Sequence, residues 1–197
     1  MYMSLTHFID YDRPQLSSLN YIEKVDYLEK RLEKILIKPL EEMLNRIKYD
    51  KKDHTPVVIF ATTICISIEA MGKFLDGNIK EESNKVFKKF ISKYMHSDFI
   101  SQTFDGRLYV DILWSDFRNG LAHCFYIKNG GIEIFSGEFR QYNDKGMHML
   151  EIEPEFLLND FKNGVNKYLS DLKKSNQNDA IAINFMKIFQ DLYVDGK

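Results

Sequence analysis

The chain has 197 residues, 44% of them hydrophobic and 28% charged, with a formal net charge of -2. That is enough apolar material to bury a sizeable core, and too little polar bias for long disorder. A near-neutral charge excludes an avid, non-specific nucleic-acid binder, whose affinity rests on many phosphate contacts, but leaves room for a local basic cleft.

Two separate cysteines, Cys65 and Cys124, point to a reducing compartment and to no zinc site. The start of the chain has no basic stretch followed by an apolar run, so it does not read as a signal peptide. A cytoplasmic protein with no membrane partner is expected. The most apolar segment, 56–68, falls short of the roughly 20 residues that span a bilayer, and reads as a buried helix.

From Leu19 to Tyr49 apolar residues recur every three or four positions, including Ile22, Val25, Leu28, Leu32, Leu36, Leu40, Leu44 and Ile47. That is the period of one helix face. Pro39 inside this run predicts a kink or a split, because proline lacks an N–H and crowds the preceding turn. Thr55-Pro56 predicts a capped start to a second, central helix that ends near Gly77. Glu69 stands out as a carboxylate near its end.

A third helix is predicted over 81–95, a loop over 97–106 and a fourth helix over 108–119. Four helices with short connections suggest a bundle. The period then changes. Residues 125–128 and 132–135 are rich in β-formers and flank Asn129-Gly130-Gly131, which predicts an antiparallel hairpin. A third strand over 147–152 follows a turn at 143–146. Helices at 154–169 and 180–193 complete the chain. The expected architecture is therefore mainly α: one domain over 1–197, with a helical bundle at about 19–123, a small antiparallel β-hairpin or sheet inserted after the fourth helix at about 124–152, and C-terminal helices at about 154–194.

No Gly-rich phosphate loop, HExxH or GxSxG occurs. His7, His54, His96 and His148 are scattered, without the spacing of a metal site. Lys85, Lys88, Lys89 and Lys93 form a basic strip on the third helix that either guides RNA or is a solvated face. Trp114 is a core anchor or a stacking platform. Cys124, read on a strand beside His123, would point to the opposite face and escape activation.

The chemical candidate is Arg118-Asn119-Gly120-Leu121-Ala122-His123, at the junction of helix and β structure. Metal-independent RNA cleavage needs a base for the 2′-hydroxyl and a cation for charge building on the phosphate. Histidine titrates near neutrality and suits the first task. Arginine's planar donor fork suits the second. Asn119 adds donors that can orient either group.

This segment, in a helical bundle, resembles the signature of HEPN domains: an Arg, usually followed by a polar residue, then a His after four to six others. The resemblance covers roughly 19–123. It implies a helical bundle, dimerisation through the motif and, in many members, metal-independent endoribonuclease activity in toxin–antitoxin, abortive-infection or antiviral systems. It further implies His123 as base or acid, Arg118 and Asn119 on the phosphate, RNA as substrate, an antitoxin or operon partner, and no cofactor. Other members are inactive or bind nucleotides, so a non-catalytic dimeric module binding a nucleotide or partner protein is the alternative.

Five residues along an ideal helix turn about 500°, which leaves Arg118 and His123 about 140° apart. Either the helix breaks near Gly120, or two chains pool their motifs across a two-fold axis; the dimer is the expectation. A third reading is structural: Arg118 satisfies carbonyls at a helix end, with or without pairing to Asp116 or Glu69, His123 is partly buried and hydrogen-bonded under the hairpin, and Asn119-Gly120 ends the helix.

Overall fold

The computed structural model describes residues 13–49, 55–124, 126–144 and 147–196. Helix α1 (Arg13–Ser18) leads into α2 (Tyr21–Leu32), whose start is fixed by a reciprocal cap between Asn20 and Glu23. Pro39 does not break the chain's path. A π-helical turn, Glu33–Ile37, stands directly before it, with Lys38 N–H donating to Glu33 O. The widened turn takes the place of the bond that proline cannot make, and α3 (Lys38–Tyr49) continues.

Helix α4 (Thr55–Asp76) is the centre of the bundle, packed against α3, α5 (Ser83–Tyr94), α9 (Pro154–Lys174) and α10 (Ala180–Phe189). Phe60, Ile64, Ile68 and Met71 are buried in that core. Gly77, at φ 77°, ends the helix as expected. The side chain of Thr55, the expected cap, lies outside the described residues. One expectation is corrected here. The apolar run continues past 68, so that Pro56–Asp76, with mean hydropathy 1.7, is by length and composition long enough to cross a membrane. Half of that window is buried inside the protein.

The expected loop after α5 contains a one-turn helix, α6 (Asp98–Ser101), and a small hairpin of β1 (Thr103–Phe104) and β2 (Arg107–Leu108). Asp105 and Gly106, both at positive φ, make its turn. Helix α7 (Tyr109–Ile112) then runs through a π-helical stretch, Leu113–Arg118, into α8 (Asn119–Cys124). The helix therefore extends well beyond Asn119, and Asn119-Gly120 does not terminate it.

The sheet departs most from expectation. No hairpin turn sits at Asn129-Gly130-Gly131. Those glycines belong to β3 (Gly130–Ile132), which pairs in parallel with β5 (Met147–Ile152). The second partner of β5 is β4 (Phe139–Asp144), antiparallel from Phe139↔Ile152 to Asp144↔Met147. The order is β3-β5-β4, a small mixed sheet. Residues 126–128 and 134–135 are irregular, and Phe125 lies outside the described residues. The expected turn at 143–146 gives way to strand at Asn143 and Asp144. The physical reason is packing: a Cβ on Gly130 would stand 2.4 Å from the Phe117 ring and 2.7 Å from Leu150 O. Glycine serves close approach here rather than positive φ.

Ile132, Leu150 and Ile152 face the core. Phe139 joins the sheet to the bundle through ring contacts with Phe99, Tyr109 and Phe156. Mainly α, with a small sheet between α8 and α9, is thus the observed architecture. The last helix ends in another π-helical stretch, Gln190–Val194.

Candidate functional site

Arg118 closes the π-helical stretch and projects toward α4. Its Nε and Nη2 donate to Glu69 Oε2 at 3.0 and 2.7 Å, and Nη1 donates to Asn119 Oδ1 at 3.1 Å. The guanidinium lies 4.9 Å from the centre of the Trp114 ring, one helical turn back. Trp114 in turn tilts against Phe87 of α5 at 5.3 Å. Only 18% of the Arg118 side chain is exposed.

The second oxygen of Glu69 accepts the hydroxyl of Ser83, the first residue of α5, at 2.5 Å, with Lys73 Nζ at 3.8 Å. Burial raises the Glu69 carboxyl. The hydrogen bonds from Ser83 and Arg118, with the charges of Arg118 and Lys73, outweigh it and hold the group below the ordinary carboxylate range. Three helical segments thus converge on one carboxylate, and the arginine is fixed in direction.

His123 is arranged differently. It stands exposed near the end of α8, and no described residue hydrogen-bonds to it. The helix between Arg118 and His123 is unbroken, so the angle of about 140° expected for an α-helix applies. Of the two ways to bring the side chains together, a break at Gly120 is excluded. Gly120 is instead the point where the returning chain crosses the helix: Tyr126 N–H donates to Gly120 O at 3.3 Å, and a Cβ there would meet Tyr126 O at 2.2 Å.

Sequence reasoning placed Arg118, Asn119 and His123 on one segment, and named Glu69 as a partner for Arg118. The pairing with Asp116 does not form. Asp116 is buried and bound by Arg107 through both oxygens, by Ser115 and by Asn129, which ties β2 and the start of β3 to the helix. Ser83 and Arg107 gave no signal, because each reaches the site region from another element, whereas Lys73 stands one turn after Glu69 on α4.

Cys124 lies on the helix rather than on a strand, and is exposed. Neighbours on a helix are about 100° apart, so His123 does not face it. Cys65 is buried in α4, where burial pushes its thiol up to about 12. The lysine strip of α5 is largely neutralised: Lys88 pairs with Asp111, Lys89 with Asp76, and Lys85 with Glu81 and Glu82. Trp114 is a packed anchor beneath the arginine. A surface groove of about 420 Å³ lies away from the motif, along Asn163, Lys167, Ser170 and Lys174 of α9. His7, His54 and the side chain of His148 lie outside the described residues.

Comparison with protein-family models, with curated proteins and with solved structures returns no match to this chain.

Proposed function

We propose that the chain is a HEPN-type, metal-independent endoribonuclease that acts as a homodimer on single-stranded or loop RNA in the cytoplasm, within a toxin–antitoxin or antiviral setting. The observation that carries this reading is the state of Arg118. A guanidinium has five N–H donors; three are used by Glu69 and Asn119, and two remain. The group is aimed, charged and incompletely satisfied, which suits a phosphate oxygen that gains charge during reaction.

His123, exposed and with no hydrogen-bond partner among the described residues, takes the 2′-hydroxyl proton. The 2′-oxygen attacks phosphorus, the bond to the 5′-oxygen breaks, and a protonated histidine supplies the leaving oxygen's proton. The products are a 2′,3′-cyclic phosphate and a 5′-hydroxyl. Asn119 holds Nη1 of Arg118 through its carbonyl oxygen and keeps its amide donors for the phosphate. No step requires a metal ion.

A specific observation favours a second reading. Arg118 is mostly buried and already bridges α4 to the π-helical stretch before α8. In a non-catalytic dimeric module that binds a nucleotide or a partner protein, this bridge would be its whole role. Labelled RNA incubated in EDTA with the wild type, Arg118→Ala and His123→Ala separates the two. Cleavage by the wild type alone, with cyclic-phosphate ends and both variants folded by circular dichroism, supports the nuclease. Absence of cleavage by the folded wild type, with nucleotide binding retained, selects the module.

A further inference from the structure

Outside the motif, His96, Asp98 and Glu138 bring one imidazole and two carboxylates together where the bundle meets the sheet. One ligand atom from each lies within 4.8 Å of the others. They come from two segments: His96 and Asp98, two residues apart, from the connection that leads from α5 into α6, and Glu138 from the turn before β4. We infer that His96, Asp98 and Glu138 form a site for a divalent transition-metal ion, of the zinc or manganese class, that clamps the β insertion to the helical bundle.

The donor set suits that class, since borderline cations take imidazole nitrogen with carboxylate oxygen. Its charge points the same way. Among the described residues no lysine or arginine pairs with Asp98 or Glu138; their ionic neighbour is His96, at 3.8 Å from Nδ1 and 3.9 Å from Nε2 respectively. A third carboxylate, Asp160 of α9, is nine-tenths buried beside them and accepts the His96 backbone N–H at 2.9 Å. A bound cation relieves this accumulation of negative charge.

Geometry allows it. Donors around a tetrahedral ion stand about 3.4 Å apart, so the side chains close in by about an ångström. All three are partly exposed and have room to do so. Nδ1 now accepts the Asp98 N–H at 3.3 Å, a long contact that yields readily. Phe156, edge-on to the ring at 5.7 Å, limits its rotation.

The test titrates Zn²⁺ into the chelator-stripped full chain by calorimetry, with His96→Ala, Glu138→Gln and Cys124→Ser alongside. One saturable site is expected in the wild type and in Cys124→Ser, with a rise in Tm on loading. His96→Ala and Glu138→Gln each weaken it by at least about tenfold, the scale on which metal-site partners act, while their unloaded Tm confirms folding. Unchanged affinity in His96→Ala, loss of the site in Cys124→Ser, or no saturable binding by the wild type overturns the inference. Because RNA cleavage in EDTA does not involve this ion, failure here leaves the nuclease proposal standing, and the reverse also holds.

Discussion

Replacing Glu69 by Met keeps the length of the side chain and removes both oxygens. Arg118 then loses the acceptor for Nε and Nη2, and Ser83 loses the acceptor for its hydroxyl. Removing one partner of a fully buried ion pair costs about 3–5 kcal/mol, because the survivor stays desolvated and unpaired. Here 11% of the Glu69 side chain and 18% of Arg118 remain exposed, so water screens part of the charge and about 3 kcal/mol is the reasoned loss. At about 2–4 °C per kcal/mol for a chain of this size, Tm falls by about 6–12 °C in a differential scan. Glu69→Gln keeps an acceptor and removes only the charge, so its loss is smaller. A cycle with Arg118→Met then yields a coupling of about 2 kcal/mol. A Glu69→Met protein that melts with the wild type, or strict additivity in the cycle, would refute the view that this pair organises the site.

Gly120→Ala runs against the usual helix scale. In an open helix the change gains up to about 1 kcal/mol, but here the new methyl meets Tyr126 O at 2.2 Å, and a loss of about 1–3 kcal/mol is expected in urea denaturation; stabilisation would show that the 126–128 segment yields freely. Acid weakens the fold through Glu69 and Asp116. In Asp116, as in Glu69, burial raises the carboxyl but hydrogen bonds, led by Arg107, hold it below its ordinary value. Their folded pKa values lie under the unfolded ones, so their stabilisation is complete above the ordinary carboxylate range and lost as pH falls through the depressed values. Tm should drop on passing below about pH 4, and Asp116→Asn should flatten that limb; a limb of unchanged slope would refute the assignment. Asp160, raised by burial, works in the opposite sense.

The helices were legible because each carries a local pattern. The three-and-four spacing from Ile22 to Ile47 and the stop at Gly77 need no distant partner to be read. The strand 147–152 was readable for the same reason. The sheet's pairing was not, because Gly130 and Gly131 look identical whether they serve a turn or a close approach. Only the position of Phe117 and Leu150 O decides between the two. Strand β4, with Arg140, Gln141 and Asn143, has little apolar alternation beyond Phe139 and Tyr142, so nothing marked it. The π-helical stretches escape a 3.6-residue template by construction. At the candidate site the motif itself was local and readable, and Glu69 was conspicuous as a charge on an apolar helix. Ser83 and the approach of Glu138 to His96 and Asp98 arise from tertiary structure and leave no mark on spacing.

The unbroken helix sharpens the chemical demand on the proposed dimer. Within one chain Arg118 points to α4, and His123 leaves α8 in another direction, toward solvent. In the proposed dimer, the second copy places an imidazole near an arginine. α4 offers apolar surface for association in Ile59 and Ile66, about half exposed and on one stripe of the helix. If each reacting site takes Arg118 from one protomer and His123 from the other, two inactive variants can complement each other. Arg118→Ala and His123→Ala, mixed and re-equilibrated, form heterodimers in which one site keeps both residues and the other keeps neither. Half of the dimers then carry one intact site of two, so about a quarter of wild-type cleavage returns on statistical mixing. If a single chain supplies both residues, no heterodimer holds an intact pair and the mixture stays silent. A silent mixture, with heterodimers verified by mass and with active wild type, removes the two-fold argument and leaves the angle between the two side chains to be closed by a conformational change within one protomer.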